Sequence, residues 1–209
     1  MNGDTPDSLD AVLNLAVSAK FITKTARASA VAHSLGYSVL LQNYGINEFV
    51  DLGSGGGIPS LPILWYRKDS RALLIESNKR KANFLSRSLY TIGAHTRAIV
   101  INDRAENVAT NIEFREKFNA VTARSFAPPS ITLECAVGIL SVGGLLIVSE
   151  PDGRDVHDRW PEAGLSKLGC KLNLAVEQNS FHYVVIEKIQ PTSDRFPRRV
   201  GIPWKRPLF

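Results

Sequence analysis

The fold of this chain is decided at residues 50–59, which read VDLGSGGGIP, and at residues 73–76, which read LLIE. The first stretch is a hydrophobic strand that ends in an acid and a glycine-rich turn, and the second is an apolar strand that ends in Glu76. This order is typical of a nucleoside-cofactor site in an open α/β sheet. Glycines let the turn approach a ligand, because no Cβ intervenes and positive φ costs little. Glu76 follows by about 20 residues, where a carboxylate can accept hydrogen bonds from ribose hydroxyls.

The spacing of the glycines bears on the identity of the cofactor. A dinucleotide fingerprint requires G-x-G-x-x-G, but counting from Gly53 puts Ile58 at the third glycine position, and counting from Gly55 puts Ser60 there. The observed G-x-G-x-G, with Asp51 ahead of it, resembles the first motif of S-adenosylmethionine (SAM) dependent methyltransferases. SAM has no pyrophosphate for a helix N-terminus to hold, and its ammonium and sulfonium groups favour an acid at the strand tip. The alternative is a tight strand-to-helix turn followed by a surface glutamate.

Length and composition describe one globular domain with a short appendage. The chain has 209 residues, of which 44% are hydrophobic, enough for a substantial core. The polar start at residues 1–4 lacks the basic and apolar regions of a secretion signal, and no apolar run reaches the length of a membrane span. Cys135 and Cys170 have no partners at metal-ligand spacing. We therefore expect reduced structural thiols, no metal site and a cytoplasmic location.

Positive charge is concentrated in two places. The formal net charge is +5 and the pI is about 9.3, which permits a polyanionic partner without requiring one. One group of cations follows Glu76 and the other lies near the C-terminus: Lys79, Arg80, Lys81 and Arg87, and Arg195, Arg198, Arg199, Lys205 and Arg206 among Phe196, Trp204 and Phe209. Cations beside planar side chains suit phosphate contacts and base stacking. A solvated basic tail is the alternative.

Alternating strands and helices predict the fold. Two helices come first, one with Leu9, Val12, Leu13 and Ala16 on one face and one over residues 28–41. The predicted strands are 48–52, 71–75, 98–101, 120–123, 145–149, 171–176 and 183–189, with a short helix after Pro59 and longer helices at 79–92, 130–140 and 155–168. The alternation implies right-handed crossovers, and the short gap at 177–180 favours a hairpin. We predict an α/β, Rossmann-like class I methyltransferase fold, with a mostly parallel seven-stranded sheet, an antiparallel last strand and helices on both faces.

The same pattern divides the chain into three segments. We expect a helical N-terminal segment (1–45) packed on the main domain, a SAM-binding methyltransferase domain (46–190) and a basic C-terminal tail (191–209). In such sheets ligands collect at the carboxyl ends of the strands. The residues at those ends are Asp51, Glu76, Asp103 and Arg124.

Several stretches carry a resemblance to a known family. They are residues 50–62, residues 73–85 with ESNKRK at 76–81, RAE at 104–106, VTARSFA at 121–127 and the basic C-terminal stretch FPRRVGIP at 196–203. In these features the chain resembles the GidB/RsmG small-subunit ribosomal RNA guanine-N7 methyltransferases. The likeness extends over roughly residues 30–204, and RAE together with ARSFA is more specific than the glycine loop.

The resemblance implies roles for individual residues. The glycines would lie beneath the methionine part of SAM, Glu76 would bind the ribose, and Ala105 and Glu106 would lie beside the adenine. The residues carried over to cofactor binding are Asp51, Gly53, Gly55, Gly57, Glu76, Ser77, Arg104, Ala105, Glu106 and Arg124. Arg124 would stand at the mouth of the pocket, and Arg198 or Arg199 would approach the RNA; these three arginines are the candidate catalytic residues. An ordinary ion pair is the alternative for Arg124.

The chain departs from the family pattern in three places. The glycine loop continues as Ile58-Pro59-Ser60 where the family has a Phe-Pro-Gly-like segment, and the N-terminal segment is short. After the fifth predicted strand the family tends to have Lys-Gly, whereas this chain has Glu150 and Asp152. Two acids in place of a cation would repel phosphate at that corner.

Methyl transfer to guanine N7 is the function that the resemblance implies. The N7 lone pair is unprotonated, so no general base is required, and none of the scattered histidines stands out as one. The implied partner is ribosomal RNA or the small ribosomal subunit, with no membrane and no metal. The alternatives are a methyltransferase of another substrate, either a small metabolite or another RNA, and a non-catalytic SAM- or RNA-binding module of the same fold.

Overall fold

The computed structural model describes residues 6–209, with side chains described from Ser8 onwards. The polar start at residues 1–4, from which the absence of a secretion signal was argued, lies outside the described residues. The chain divides between Asp103 and Arg104 into two compact units. We call residues 6–103 unit 1 and residues 104–209 unit 2. The three expected segments stay a prediction.

Within residues 6–209, seven strands form one sheet in the order β3-β2-β1-β4-β5-β7-β6. Their bounds are β1 (Glu48–Leu52), β2 (Arg71–Ile75), β3 (Ala98–Ile101), β4 (Phe118–Ala123), β5 (Leu140–Glu150), β6 (Cys170–Gln178) and β7 (Phe181–Lys188). The pairs β1–β2, β2–β3 and β4–β5 are parallel, and β7 runs antiparallel to both β5 and β6. The predicted seven-stranded, mostly parallel sheet with an antiparallel last strand is confirmed.

Unit 1 surrounds its three strands with four helices. They are α1 (Pro6–Ser18), α2 (Lys24–Asn43), α3 (Ser60–Tyr66) and α4 (Lys79–Thr91). The predicted apolar face of α1 is confirmed, because all four of its residues are buried. Side chains cap the two long helices that follow: the Thr23 hydroxyl accepts from the Ala26 N–H, and the Asn78 amide oxygen accepts from the N–H groups of Arg80 and Lys81. None of the described helices is long and apolar enough to cross a membrane.

Unit 2 carries five helices among its described residues. They are α5 (Ala105–Thr110), α6 (Pro129–Val137), α7 (Val156–Arg159), α8 (Glu162–Lys167) and α9 (Ile202–Lys205). The β6–β7 hairpin turns at Asn179 and Ser180, which have φ of 53° and 62°. Two successive left-handed residues match the twist of antiparallel strands in a two-residue turn, so the strands extend further into the hairpin than expected.

Several of the predicted helices have different ends, and two short helices, α5 and α9, were not predicted. The helix expected over 130–140 ends at Val137, with Gly138 as its C-cap, because the chain enters β5 already at Leu140. The helix expected over 155–168 is broken into α7 and α8 at Pro161, where ψ is 137°. The helix α5 was not predicted, since its six residues are too few to show an apolar period.

Candidate functional site

The glycine loop that follows β1 is anchored on Asp51. This residue is buried, with 1% of its surface exposed, and its Oδ2 accepts a hydrogen bond from the Ser60 hydroxyl at the start of α3. The Ser54 hydroxyl donates to the Asp51 backbone carbonyl at 3.0 Å, and the Gly57 N–H donates to the Ser54 carbonyl at 2.7 Å. Asp51 therefore ties the turn to the helix that follows it.

The alternating glycines of the loop have a conformational reason. Gly53, Gly55 and Gly57 have φ values of 71°, 55° and 90°, in the left-handed region that side chains disfavour. Gly57 is also more crowded than Gly55, because a Cβ on Gly57 would lie 2.3 Å from Leu61 Cδ1, whereas a Cβ on Gly55 would lie 3.6 Å from the Gly53 carbonyl oxygen. The G-x-G-x-G spacing therefore reflects the backbone path of the loop.

Glu76, which follows β2, joins the glycine loop to the start of α4. Its Oε2 accepts a hydrogen bond from the Gly55 N–H at 2.9 Å, and its Oε1 accepts from the Asn78 N–H at 2.7 Å. The Asn102 side-chain amide donates to the backbone carbonyls of Glu76 at 2.8 Å and Ser77 at 3.1 Å. Glu76 is buried and Ser77 is exposed. The structure thus brings the predicted cofactor residues of unit 1 together, with Glu76 at their centre.

The connection between α1 and α2 lies against the glycine loop, which sequence reasoning missed. A Cβ on Gly56 would lie 2.4 Å from Ile22 Cγ2 and 3.4 Å from the Phe21 backbone carbon. The Phe21 ring also packs edge to face on Phe84 of α4, with 5.3 Å between ring centroids. Gly56 is therefore required for close approach, and the N-terminal helices are packed onto this side of the loop.

In unit 2 the RAE triplet forms the start of α5. Ala105 and Glu106 are buried and Arg104 is exposed. Glu106 Oε1 accepts a hydrogen bond from the Gly201 N–H at 3.1 Å and lies 3.5 Å from Arg104 Nη2. Glu106 therefore holds the C-terminal segment, and the predicted role of the triplet beside the adenine stays a prediction.

Arg124 comes directly after β4 and is half-buried. The register pairs Ala123 with Val148 and Ser149 with Tyr183, so Arg124 lies near Tyr183 across the ends of these strands. Burial raises the pKa of the Tyr183 hydroxyl, and the positive charge of Arg124 opposes that shift. No carboxylate in the described residues lies within ion-pair distance of Arg124. An ordinary ion pair thus does not account for this arginine.

The basic C-terminal segment is docked through Arg198. Its Nε and backbone N–H donate to Glu134 Oε1 at 2.8 and 2.9 Å, and its Nη2 donates to Oε2 at 2.6 Å. Glu134 on α6 is fully buried, and its hydrogen bond raises the pKa of the Arg198 guanidinium. Of the two arginines expected to reach RNA, the structure places Arg198 on Glu134 and leaves Arg199 exposed.

The remainder of the segment is also held in place. The Ser130 hydroxyl accepts from the N–H groups of Leu208 at 2.8 Å and Phe209 at 3.3 Å. Trp204 is 45% exposed and packs on Phe126 with 6.3 Å between ring centroids. A fixed aromatic ring thus accompanies the exposed cations of this segment.

The acids at the end of β5, Glu150 and Asp152, both have partners. Glu150 Oε2 accepts from Arg159 Nε, and its Oε1 accepts from Trp160 Nε1 at 3.0 Å. Asp152 Oδ1 lies 3.4 Å from His182 Nε2. The repulsion of phosphate expected at this corner is therefore reduced.

The two cysteines and the possible metal ligands of the described residues bear on the remaining predictions. Cys135 and Cys170 are free and buried. Burial raises the pKa of both thiols, to about 12 for Cys170, so neither is a thiolate nucleophile near neutral pH. Among residues 8–209, no group of three or more His, Cys, Asp or Glu could hold a metal ion.

Comparison with known proteins points to one family. The family model described as GidB, rRNA small subunit methyltransferase G, matches residues 11–152. A relative from Dictyoglomus thermophilum, named ribosomal RNA small subunit methyltransferase G, is 34% identical over 182 residues, covering 84% of this chain and 75% of the relative. A relative of the same name from Chloroflexus aggregans is 35% identical over 168 residues, covering 77% of this chain and 69% of its own.

Solved structures share the fold at low sequence identity. An O-methyltransferase from Bacillus cereus in complex with SAH has a TM-score of 0.62 and 14% identity, covering 88% of this chain and 91% of its own. A SAM-dependent methyltransferase from Aquifex aeolicus has a TM-score of 0.58 and 14% identity, covering 83% of this chain and 97% of its own. These likenesses confirm the Rossmann-like methyltransferase fold.

Proposed function

Because the chain belongs to the rRNA small subunit methyltransferase G family and is a SAM-dependent methyltransferase, we propose that it methylates guanine N7 of small-subunit ribosomal RNA. The observation that carries this proposal is the docked basic segment. The clamp between Arg198 and Glu134 fixes the chain next to the exposed Arg199, and the exposed Trp204 packs close by. Fixed cations and aromatic rings suit RNA phosphates and unstacked bases.

The residues of unit 1 fit the adenosyl cofactor. A carboxylate has about four lone-pair sites, and two backbone N–H groups bind Glu76, so capacity remains for ribose hydroxyls. Gly53, Gly55 and Gly57 would hold the methionine part through their backbone, with Ser77 at the rim. Asp51 would act as a positioning residue, because its carboxylate already accepts from Ser60.

The reaction needs alignment more than proton transfer. SAM, when bound, supplies a methyl group that its sulfonium has already activated. Guanine N7 offers its own lone pair, so the protein's task is to hold the base in line, and orientation accounts for much of the rate. Arg124 and Arg199 would orient the substrate through its O6 and phosphate oxygens. The proposed place of action is the cytoplasm, where this substrate is found.

Methylation of defined RNAs tests this proposal. Unmodified small-subunit and large-subunit ribosomal RNAs, prepared by transcription, are incubated with the protein and methyl-labelled SAM, and small-subunit particles are tested in parallel. We expect label as N7-methylguanine in the small-subunit RNA or its particle, and none in the large-subunit RNA. Label in a low-mass fraction of cell extract would instead identify a metabolite methyltransferase. SAM binding without transfer to any of these would favour a non-catalytic module.

A further inference from the structure

The helix α4 begins a segment of unusual charge. Residues 77–102 contain five lysines and arginines and no aspartate or glutamate. Four of these cations lie on α4, and in the described part of the chain none of the four forms an ion pair: Lys79, Arg80, Lys81 and Arg87. The helix therefore carries positive charge that its own unit does not neutralise.

The placement of three of these cations opposes the stability of the helix. Lys79, Arg80 and Lys81 occupy the first turn of α4, where no acidic residue is present. The helix dipole favours negative charge at this end and disfavours cations. A sequence that departs from such a local preference, with no compensating contact in the structure, is expected to do so for a functional reason. An anionic partner would supply the missing compensation.

The cations border an apolar groove between α1 and α4. The groove has a volume of about 330 Å³. Arg80 and Arg87 line it from α4, Leu15 lines it from α1, and the rings of Phe21 and Phe84 contribute apolar surface. Leu15 is 58% exposed. A cleft with an apolar lining and guanidinium groups on one wall can accept a planar base while binding the adjoining phosphates.

An aromatic pair extends this surface at the other end of α4. The Tyr90 ring is 69% exposed and stacks on the His95 ring, with 4.5 Å between centroids and 12° between planes. Tyr90 lies one helical turn beyond Arg87. A preformed exposed stack is a platform for a further unpaired base.

We propose that this surface, formed by Arg80, Arg87, Tyr90 and the α1–α4 groove, binds a single-stranded segment of the substrate RNA. It would be a second RNA contact, in addition to the basic C-terminal segment, and it rests on the proposed function. The RNA is favoured over an acidic protein or a second copy of this chain, because the exposed Tyr90–His95 stack lies one helical turn beyond Arg87, and an exposed ring stack beside guanidinium groups suits unpaired bases and their phosphates. The Phe21 ring lines the groove while its backbone lies against Gly56, so RNA bound here would lie close to the glycine loop.

A charge-matched pair of double variants tests the surface. Arg80→Gln/Arg87→Gln removes two cations from the groove, and Arg71→Gln/Lys167→Gln removes two exposed cations elsewhere. Binding of unmodified small-subunit ribosomal RNA is measured over a series of salt concentrations, SAM binding by calorimetry and folding by thermal melting. Loss of two phosphate contacts should lower the slope of log affinity against log salt by about 1.4, and affinity at 0.15 M salt by about tenfold. The control should retain the wild-type slope, and SAM affinity should not change.

Two further variants separate the contributions. The double variant Arg80→Lys/Arg87→Lys keeps both charges, so its slope of log RNA affinity against log salt should equal that of the wild type. This comparison remains informative even if Arg80→Gln/Arg87→Gln unfolds at a lower temperature than the wild type. Tyr90→Ala should weaken RNA binding about fivefold or more with the slope unchanged, because stacking is not ionic, and Tyr90→Phe should bind as wild type does. The surface is refuted if the wild type binds and methylates this RNA and the Gln variant matches its control. Failure of the wild type to bind or methylate the RNA would instead overturn the proposed function and this surface with it.

Discussion

Glu134→Gln is the substitution that most directly tests the docking of the C-terminal segment. Glu134 is fully buried in α6 and accepts three hydrogen bonds, all from Arg198. Glutamine has nearly the same shape, so packing is retained. The substitution removes the negative charge and replaces one acceptor oxygen by a donor that opposes Arg198 Nη2. The expected effect is therefore electrostatic and confined to the clamp.

The size of the effect follows from the burial of the two partners. Breaking a fully buried ion pair costs about 3–5 kcal/mol. The Arg198 side chain is 23% exposed, so water can partly solvate the guanidinium. Glutamine also retains an acceptor for one or two neutral hydrogen bonds, which contribute about 1 kcal/mol each. We expect a net loss of about 2 kcal/mol, which corresponds to about a 30-fold change in the docking equilibrium.

Hydrogen exchange measures this equilibrium. The backbone N–H groups of Arg198 and Gly201 donate to Glu134 and Glu106, so both should exchange about 30-fold faster in Glu134→Gln. Amides of the central strand β5, such as that of Ile147, should not change. Glu113→Gln, at an exposed carboxylate of the same unit, is the control. RNA methylation should fall while SAM affinity is retained. Unchanged exchange at Arg198 and Gly201 would show that the clamp does not hold the segment.

Three other predictions concern the cofactor, the substrate and stability. Glu76→Ala should weaken SAM binding by about 1–3 kcal/mol, because ribose hydroxyls lose a charged acceptor; an unchanged dissociation constant in calorimetry would contradict the assignment. Arg124→Ala should lower turnover about tenfold or more with SAM affinity nearly intact, and an equal loss of SAM binding would place this arginine at the cofactor instead. Burial raises the pKa of Glu116, but hydrogen bonds from Lys188 and the Thr192 N–H, with the nearby positive charges, hold it below its ordinary value of 4.5. The stability that this carboxylate adds is therefore present above pH 4.5 and is lost as the pH falls through the lower folded-state pKa. The difference in free energy of unfolding between wild type and Glu116→Gln should accordingly shrink as the pH is lowered below 4.5. A difference that stays constant from about pH 7 to pH 3 would refute the role of Glu116.

The parallel strands of unit 1 could be predicted to the residue. β1, β2 and β3 have the bounds expected from the sequence. β1 and β2 are buried from their second residue onwards, which favours mostly apolar runs, and the edge strand β3 is itself a run of four apolar residues. The glycine loop and Glu76 were predictable for a related reason. Their spacing is a local consequence of how the first two strands connect, and the contact between Gly55 and Glu76 joins residues 21 positions apart.

The clamp on the C-terminal segment could not be predicted in the same way. Glu134 lies in an apolar helix, 64 residues from Arg198, and no periodicity links the two. Arg198 therefore looked like a free cation of a basic tail. Gly138 presents the same difficulty, since its crowding comes from Ala109 and Pro197, which are distant in sequence. A single buried acid in an otherwise apolar helix is the one signal in the sequence that indicates a missing partner.

The acids at the end of β5 show how partners alter the meaning of a charge pattern. By sequence alone, Glu150 and Asp152 stand in place of a cation and would repel phosphate, which supports the alternative of a small-metabolite substrate. In the structure the Glu150 side chain is 7% exposed and bound by Arg159 and Trp160, so its charge is largely compensated before any phosphate approaches. The Asp152 side chain is 86% exposed, with His182 3.4 Å away, and solvent and salt screen such a charge beyond about 10 Å. What remains at this corner is one screened carboxylate, against several exposed cations in the docked C-terminal segment. The charge argument for a metabolite substrate therefore loses most of its weight, and the balance of exposed charge in unit 2 favours RNA.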